Sequence, residues 1–299
     1  MSFADAPALH LRISLGDYPH SLPLKRGEVT SPNIAFDFTE LFPAHLAFKP
    51  MIRERAFDIS EMAIITYLQA REHDKPMVLL PAVMLGRFQH HTMFYNAKRG
   101  VVAPADLAGR RVGVRAYTQT TGAWLRGILA TEYDVPSAAI QWITYEDAHV
   151  PEYSDPPDVI RARDDQTLDG MLESGEIDAA IYGAELPENP DLQSVIPEPE
   201  TAARVWHAKY GVVPINHMVV VSQALSRTRP ELVREFHGML RKAKARAMAP
   251  ADGDVDYWPM GVEACRPALE MIIDYAVEQR LISRRFTVDE LFDDVTGAL

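Results

Sequence analysis

The sequence predicts an α/β protein, because segments typical of buried strands alternate with segments typical of amphipathic helices up to residue 222. The clearest example lies at 109–129, where Val112 and Val114 mark a buried strand and a Thr-rich turn leads into an apolar helix. After residue 222 the pattern changes to helices alone. With 299 residues, 47% of them hydrophobic, the chain has enough core for one large α/β domain or for two lobes.

The alternation of strand-like and helix-like segments predicts a largely parallel sheet. TVDE at 287–290 fits a capping box that opens a short last helix. Gly175 is placed to end the helix predicted at 164–174. The segment 146–166, rich in Pro, Asp and Tyr, is predicted to be a long ordered loop, either a lid over a cleft or a surface excursion. Strands are predicted at 11–15, 34–38, 78–83, 111–116, 140–145, 177–183 and 217–222, and helices at 44–56, 62–73, 120–133, 164–174, 200–210, 229–248 and 261–280.

Composition and charge exclude several classes of protein. The 30 Lys and Arg residues against 42 Asp and Glu give a net charge of −12, which opposes binding to nucleic acid or to an anionic membrane. Cys265 is the single cysteine, so no intrachain disulfide and no multi-cysteine zinc site can form. The N-terminal segment lacks a signal-peptide pattern and no apolar run approaches a membrane span of roughly 20 residues, which predicts a cytoplasmic protein.

The turn at 115–121 is the best candidate for binding an anion. The N-terminus of the helix that follows presents N–H groups and the positive end of its dipole, and Thr120 or Thr121 is expected to cap it. Arg115 and Arg126 are close enough in sequence to add charge-assisted hydrogen bonds. The sequence therefore predicts a site for a carboxylate or phosphate here, although the same pattern also fits an ordinary βα unit with solvated arginines. Because the turn lacks the Lys of a phosphate loop, it gives no support to nucleotide hydrolysis.

Four polar residues follow or interrupt apolar strand-like segments: His20, Glu61, His91 and His217. Loops at the carboxyl ends of parallel strands gather the ligand-binding groups of open α/β sheets, so these residues are expected to converge. If the chain forms two lobes, we expect it to cross between them near 95–99 and 212–216, with the ligand between the lobes.

The order of the sequence blocks resembles that of the 4,5-dihydroxyphthalate decarboxylase family. The resemblance extends from Leu11 to Phe292 and includes the spacing between blocks. It implies a type II periplasmic-binding-protein-like fold, with lobe I formed by 1–95 and 215–299, lobe II by 96–214, a ligand cleft between the lobes and extra C-terminal helices. The matching blocks are DYPH at 17–20, DISEMAIITYL at 58–68, GRFQHHTMFY at 86–95, GVRAYTQTTGAWLRG at 113–127, TLDGMLESGEIDAAI at 167–181, PINHMVVV at 214–221 and DYWPMGVEACRPALE at 256–270.

The resemblance carries over to individual positions, and it also shows departures. Arg115, Ala116 and Tyr117 stand where the family usually has Pro, Glu and Trp, and His90 replaces an Arg that precedes the matched His. These departures fall in the turn expected to face the ligand, so they affect the choice of substrate. The matching site positions are His20, Glu61, Arg87, His91 and His217, together with Gln119, Thr120, Arg126 and Gly127.

The family's activity implies that this chain removes CO₂ from a hydroxylated aromatic carboxylate such as 4,5-dihydroxyphthalate. Such a reaction needs a proton on the ring carbon that loses its carboxylate, while a para phenolate pushes electron density toward that carbon. We assign the general acid to His217 or His91, and contact with the catechol hydroxyls to His20 and Glu61. The groups expected to bind the carboxylates or line the site are Arg87, His90, Arg115, Gln119, Thr120, Thr121 and Arg126.

Two alternatives remain compatible with the sequence. His20, Glu61, His91 and His217 form a reasonable ligand set for one divalent metal, although acid–base chemistry uses the same residues and no cofactor is required. A solute-binding protein for a small aromatic or carboxylate ligand would use the same anion-binding turn without catalysis. The expected partner in either case is a small aromatic carboxylate, with no nucleic acid or membrane partner, and self-association through the C-terminal helices is open.

Overall fold

A computed structural model describes residues 7–183, 185–247 and 255–299, and within these ranges strands are interspersed with helices up to Ser222. The strands in chain order are β1 (Leu9–Ser14), β2 (Ile34–Phe38), β3 (Ile59–Ala63), β4 (Met77–Gly86), β5 (Met93–Asn96), β6 (Arg111–Val114), β7 (Gln141–Thr144), β8 (Ile160–Arg161), β9 (Ala179–Ile181), β10 (Leu192–Ser194) and β11 (Ile215–Ser222). The α-helices are α1 (Leu22–Lys25), α2 (Phe48–Glu54), α3 (Ile64–Glu72), α4 (Thr120–Tyr133), α5 (Leu168–Ser174), α6 (Pro199–Tyr210), α7 (Gln223–Thr228), α8 (Pro230–Ala247) and α9 (Val262–Glu278).

The chain divides into two compact units. Unit 1 contains the described residues of 1–86, 215–270 and 286–299, and unit 2 contains those of 87–214 and 271–285. The boundary within α9 lies between Glu270 and Met271, so one helix supplies residues to both units. None of the helices in the described ranges combines the length and the apolar character needed to cross a membrane.

Unit 1 is built on a five-stranded sheet in the order β2-β1-β3-β11-β4. The strands β2, β1 and β3 are parallel, whereas β11 runs antiparallel to both β3 and β4. All five residues of β3 are buried, and the sheet packs against apolar residues of α8, among them Leu232, Phe236 and Leu240. A strand that is buried throughout has no solvent to hydrate a polar side chain, which makes Glu61 in β3 conspicuous.

Unit 2 is built on a six-stranded sheet in the order β10-β5-β9-β6-β7-β8. The strands β9, β6, β7 and β8 are parallel, and β5 is antiparallel to its neighbours β9 and β10. Met171 and Leu172 of α5 pack on this sheet with Ile143 and Ala180. The carboxyl ends of the parallel strands lie at one edge of the sheet. The chain leaves β6 at this edge and enters α4 after a short turn.

The helix and strand predictions hold for the main elements and fail for short ones. The strand at 34–38 and the helix at 120–133 have the predicted bounds, and Gly175 ends α5 in the left-handed conformation at φ 77°. The TVDE capping box forms, since the Thr287 N–H donates to Glu290 at 2.7 Å and a 3₁₀ turn follows at Asp289–Leu291. The segment 44–56 begins as a 3₁₀ helix at Ala44–Ala47 before α2. The helix predicted at 62–73 begins only at Ile64, because the residues before it form β3. The short elements that were not predicted are α1, α7, β3, β5, β8 and β10.

Two structural features differ from the prediction. The sheets are mixed rather than largely parallel, because β5 and β11 enter them antiparallel. The predicted lobe I, 1–95 and 215–299, includes 87–95 and 271–285, which the structure assigns to unit 2 rather than to unit 1. Pairing of β5 with β9 ties the first segment to unit 2, and Gln279 ties the second to it through a hydrogen bond from Arg126 at 2.6 Å. These long-range pairings leave no local signal in the sequence.

Candidate active site

Glu61 lies at the centre of the unit 1 sheet and is the most unusual buried group there. Its side chain is 1% exposed, yet three donors reach its carboxylate. The Gly16 N–H donates to Oε2 at 2.8 Å, and Tyr18 Oη donates to Oε1 at 2.6 Å. Gly16 comes this close because β1 is parallel to β3 and pairs Ser14 with Ser60, so the chain leaving β1 passes beside Glu61. These donors replace the hydration that burial removes.

His217 is the third donor to Glu61, and the strand register places it there. It lies opposite Ala63 on the antiparallel pair β3–β11, while Glu61 faces Val219 two positions away. Residues two apart on a strand share a face, so Glu61 and His217 are diagonal neighbours within reach of long side chains. His217 Nδ1 lies 2.6 Å from Glu61 Oε1, and the Phe48 ring packs edge-on against the imidazole at 5.1 Å.

The charge state of Glu61 fixes the tautomer of His217. Burial acts to raise the pKa of Glu61, but the hydrogen bonds from His217, Tyr18 and Gly16 outweigh it and hold the pKa below its ordinary value. An ionised carboxylate only accepts, so the proton between the two residues belongs to His217 Nδ1. His217 keeps 17% of its side-chain surface exposed, against 1% for Glu61. The imidazole is therefore the exposed member of the pair, and the carboxylate is the buried one.

His20 is fully buried behind Tyr18. Its ring stacks on Tyr18 at a centroid distance of 5.4 Å and contacts Trp258 at 5.2 Å. Burial lowers the pKa of His20 to about 4 against the smaller opposing effect of the Glu61 charge, so the ring is neutral at pH 7. The structure thus brings three of the four predicted residues, His20, Glu61 and His217, together in unit 1, and it buries His20 behind the other two, whereas His91 belongs to unit 2.

In unit 2, Arg87 and Gln119 meet at Gly183, the second residue after β9. Arg87 Nη2 donates to the Gly183 carbonyl at 2.6 Å, and a Cβ added to Gly183 would lie 3.2 Å from Gln119 Nε2. Burial and the Arg87 charge both lower the pKa of the half-buried His91. Arg87, His91 and Gln119 thus belong to one region of unit 2, at the carboxyl edge of its parallel strands.

The N-terminus of α4 lies at the same edge, but its capping differs from the prediction. The N-cap residue is Gln119, whose side chain makes no capping hydrogen bond, while Thr120 is the first residue of the helix and Thr121 the second. The backbone carbonyl of Gln119 accepts from the Ala123 N–H at 3.0 Å and begins the helix without a threonine cap. Thr120 Oγ1 is buried and has no hydrogen-bond partner among the described residues. Its hydroxyl and the helix dipole suit an anionic ligand.

The two arginines predicted beside this helix have different surroundings. Arg115 directly follows β6 and pairs with Glu146 at 2.8 Å while remaining partly exposed. Arg126 is 1% exposed, its guanidinium lies over the Tyr117 ring at 4.1 Å, and its Nη2 donates to the Tyr117 carbonyl at 2.7 Å. The expectation of a ligand-facing Arg126 is therefore corrected, since this side chain fixes the turn before α4 from inside unit 2.

His90 also lies inside unit 2. Its side chain is 1% exposed and its ring meets Trp206 edge-on at 5.9 Å. Burial lowers its pKa to about 4, and the neighbouring His91 acts in the same direction. Of the adjacent pair, His91 is the less buried side chain.

The neutral state of His90 predicts a pH dependence of stability. The folded pKa of about 4 lies below the reference value of 6.5, so the unfolded chain binds the proton first and stability falls as pH drops from 6.5 toward 4. Between pH 7 and pH 5 this contribution is on the order of 2 kcal/mol. His90→Phe is expected to remove that part of the decline, measured as the free energy of unfolding by urea at both pH values. Equal declines in the two proteins would contradict this assignment.

Of the predicted metal ligands, Glu61 and His20 have surroundings unlike those of a metal site. Both oxygens of Glu61 already accept hydrogen bonds, and His20 lies between two aromatic rings. Within the described ranges, no group of three or more His, Cys, Asp or Glu side chains is arranged to hold a metal ion. The donor set around Glu61 fits proton transfer better than metal coordination.

Comparison with known proteins decides the family. The sequence matches no family model. The 4,5-dihydroxyphthalate decarboxylase of Pseudomonas putida is 30% identical over 212 residues, which cover 67% of this chain and 81% of the relative. The chain belongs to the 4,5-dihydroxyphthalate decarboxylase family. A second member of this decarboxylase family, from Comamonas testosteroni, is 28% identical over 253 residues, covering 80% of this chain and 76% of its own. The resemblance read from the sequence blocks is thereby confirmed, and the chain is an enzyme of the decarboxylase class.

Solved structures confirm the periplasmic-binding-protein-like fold. The periplasmic aliphatic sulphonate binding protein SsuA of Escherichia coli has a TM-score of 0.58 at 14% identity, covering 95% of this chain and 92% of its own. A ligand-binding component of an ABC-type import system from Staphylococcus aureus reaches 0.59 at 8% identity, covering 97% and 98%. The desulfurization enzyme DSZB reaches 0.53 at 16% identity, also covering 97% and 98%. The fold of this decarboxylase family member is thus shared by binding proteins and enzymes.

Sequence reasoning missed two groups at Glu61, the backbone N–H of Gly16 and the hydroxyl of Tyr18. A signal for them existed, since a glutamate in the middle of the apolar segment DISEMAIITYL must find donors when the strand is buried. The identity of those donors depends on how β1 pairs with β3, which the sequence does not reveal.

Proposed function

We propose that this family member decarboxylates a hydroxylated aromatic carboxylate such as 4,5-dihydroxyphthalate, with His217 as the proton donor. The observation that carries the proposal is the Glu61–His217 pair, in which a buried carboxylate stabilises a partly exposed imidazole at 2.6 Å. This arrangement is a general acid–base device, because the carboxylate fixes the tautomer and stabilises the imidazolium that forms during proton transfer.

The proton is transferred to the ring carbon that carries the departing carboxylate. A hydroxyl para to that carbon, as its phenolate, supplies electron density to it, and protonated His217 delivers a proton from Nε2. The bond to the carboxylate carbon then breaks, its electron pair restores the aromatic ring, and CO₂ leaves. Glu61 stays ionised throughout and offsets the positive charge of His217.

The carboxylate-binding groups are proposed in unit 2, where Arg87, Gln119 and the start of α4 lie at one edge of the sheet. A guanidinium and a helix N-terminus are the two groups best suited to a carboxylate. Thr120 would add its buried hydroxyl, which has no partner among the described residues. Arg115 is proposed as a secondary contact, since it is already paired with Glu146.

Replacement of Arg87 tests the assignment of the carboxylate anchor. Arg87→Gln is expected to raise KM for 4,5-dihydroxyphthalate by about 10- to 100-fold, because a charge-assisted hydrogen bond to a carboxylate is lost. Arg115→Ala is expected to weaken binding by a smaller factor. Arg110→Gln serves as a control, since Arg110 is another arginine of unit 2 and pairs with Asp178 at 2.7 Å, much as Arg115 pairs with Glu146. Steady-state kinetics in which Arg87→Gln and Arg110→Gln behave alike would contradict the assignment.

Solvent deuterium tests the proposed chemistry directly. Loss of one carboxylate from 4,5-dihydroxyphthalate in D₂O gives 3,4-dihydroxybenzoate with one deuterium on the carbon that lost CO₂. We expect proton NMR of the product to show that deuterium at a single ring position. A substrate that binds but stays unconverted would instead support the solute-binding alternative.

A further inference from the structure

Tyr18 and His217 contact the same carboxylate oxygen of Glu61. The Tyr18 hydroxyl and His217 Nδ1 each lie 2.6 Å from Glu61 Oε1, while the Gly16 N–H donates to Oε2. An oxygen that accepts from two donors has both of its lone pairs in use, so a carboxyl group protonated there would have to give up at least one of these contacts. The tyrosine hydroxyl therefore acts on the state of Glu61 and, through it, on His217.

We propose that Tyr18 is a positioning residue of the decarboxylation site, which keeps Glu61 ionised and oriented so that His217 carries its proton on Nδ1 and presents Nε2 to the substrate. This inference rests on the proposed function and adds a residue to it. Tyr18 acts through Glu61 and needs no contact with the substrate.

The surroundings of Tyr18 hold its hydroxyl in place. The Tyr18 ring stacks on the His20 ring at a centroid distance of 5.4 Å, and the His20 ring in turn contacts the Trp258 ring at 5.2 Å. The Tyr18 N–H donates to Ser21 Oγ at 3.0 Å, and that hydroxyl donates to the Gly16 carbonyl at 2.7 Å. His20 thus acquires a role consistent with its complete burial, as the support for the Tyr18 ring.

Gly16 is required for this arrangement because the Tyr18 ring leaves no room for a side chain at position 16. A Cβ added to Gly16 would lie 2.7 Å from the Tyr18 ring, closer than side-chain carbons approach one another. Any larger residue at position 16 would push the Tyr18 ring away from Glu61, although the tyrosine would keep its hydroxyl group. Gly16→Ala therefore displaces the hydroxyl, whereas Tyr18→Phe deletes it.

Removal of the hydroxyl has a specific electrostatic consequence. The hydrogen bond from Tyr18 is one of the interactions that lower the pKa of Glu61 against the effect of burial. Without it, the carboxylate takes up a proton at a higher pH and the requirement for a proton on His217 Nδ1 is relaxed. A purely structural tyrosine would alter stability without moving the pH dependence of the reaction.

The test compares Tyr18→Phe with Tyr210→Phe, because Tyr210 donates to Glu132 in the same way, at 2.5 Å, in unit 2. For Tyr18→Phe we expect kcat to fall by about 10- to 100-fold and the acid limb of the kcat profile to move up by about one pH unit. Gly16→Ala is expected to move the acid limb in the same direction, and Tyr210→Phe to leave both quantities unchanged. An unchanged acid limb and kcat in Tyr18→Phe would overturn the proposal.

A second readout works without turnover and separates this inference from the proposed function. The Nδ1 proton of His217 is expected as a low-field proton NMR signal that is missing in His217→Gln. In Tyr18→Phe this signal should disappear on acidification at a higher pH than in wild type or Tyr210→Phe. If wild type releases no CO₂ but the signal still disappears at a higher pH in Tyr18→Phe than in wild type, the proposed function fails, whereas the action of Tyr18 on Glu61 and His217 stands. Coincident signals in all three proteins would overturn the role.

Discussion

Replacing His217 by alanine is expected to lower the rate of CO₂ release by about 10²- to 10⁴-fold, the range typical for loss of a general acid. The imidazole is the partly exposed member of a pair whose carboxylate is buried, so the substitution removes the more accessible titratable group of the pair. Glu61 keeps the donors Gly16 and Tyr18, which limits the loss of stability to about 1–3 kcal/mol. Stopped assays of product formation and a urea unfolding curve measure both quantities.

Two further variants separate chemistry from folding. His217→Gln retains an amide donor for Glu61 but lacks a titratable nitrogen, and we expect it to be folded and as inactive as His217→Ala. His10→Ala is the matched control, because His10 forms a comparable contact with Asp37 at 3.2 Å on the exposed surface. Normal turnover in either His217 variant would remove this residue from the reaction.

Glu61→Gln is expected to reduce kcat by about 10²- to 10⁴-fold with little change in shape. The amide offers one acceptor oxygen where the carboxylate has two, so it cannot satisfy His217, Tyr18 and the Gly16 N–H together. If its NH₂ group faces His217, the imidazole must move its proton to Nε2. The neutral amide also leaves the imidazolium without a compensating charge.

Glu132→Gln provides a control for the same substitution elsewhere. Glu132 also accepts from a tyrosine, Tyr210, and pairs with Lys209 at 3.0 Å. We expect its replacement to leave kcat unchanged, measured with the same substrate and at the same pH. A Glu61→Gln enzyme with the kcat of Glu132→Gln would show that the carboxylate charge has no part in the reaction.

The sequence was sufficient for the elements whose patterns are local. The strand and helix around the Thr-rich turn, with Val112 and Val114 buried and α4 running from Thr120 to Tyr133, follow from hydrophobic periodicity. The grouping of His20, Glu61 and His217 in unit 1 follows from their positions in or beside strands, since neighbouring strands bring distant residues together. The family also became recognisable from blocks in a fixed order.

Other features depended on pairings that local patterns do not encode. The antiparallel entry of β11 sets the diagonal between Glu61 and His217, and the parallel pairing of β1 with β3 supplies Gly16 and Tyr18. Arg126 was expected at a ligand because it lies near a helix start, yet its position on α4 directs it into the core of unit 2 beside Tyr117. In these cases tertiary packing determined the role of the side chain.

The most direct test of the central claim is the release of CO₂ by the purified protein given 4,5-dihydroxyphthalate, with and without a chelator such as EDTA. Acid–base catalysis at the Glu61–His217 pair predicts one CO₂ for each 3,4-dihydroxybenzoate formed, at a rate that the chelator leaves unchanged. Tight binding of the substrate without CO₂ release would contradict the claim and assign a solute-binding role. Activity lost on chelation and restored by a divalent metal would contradict the assigned chemistry.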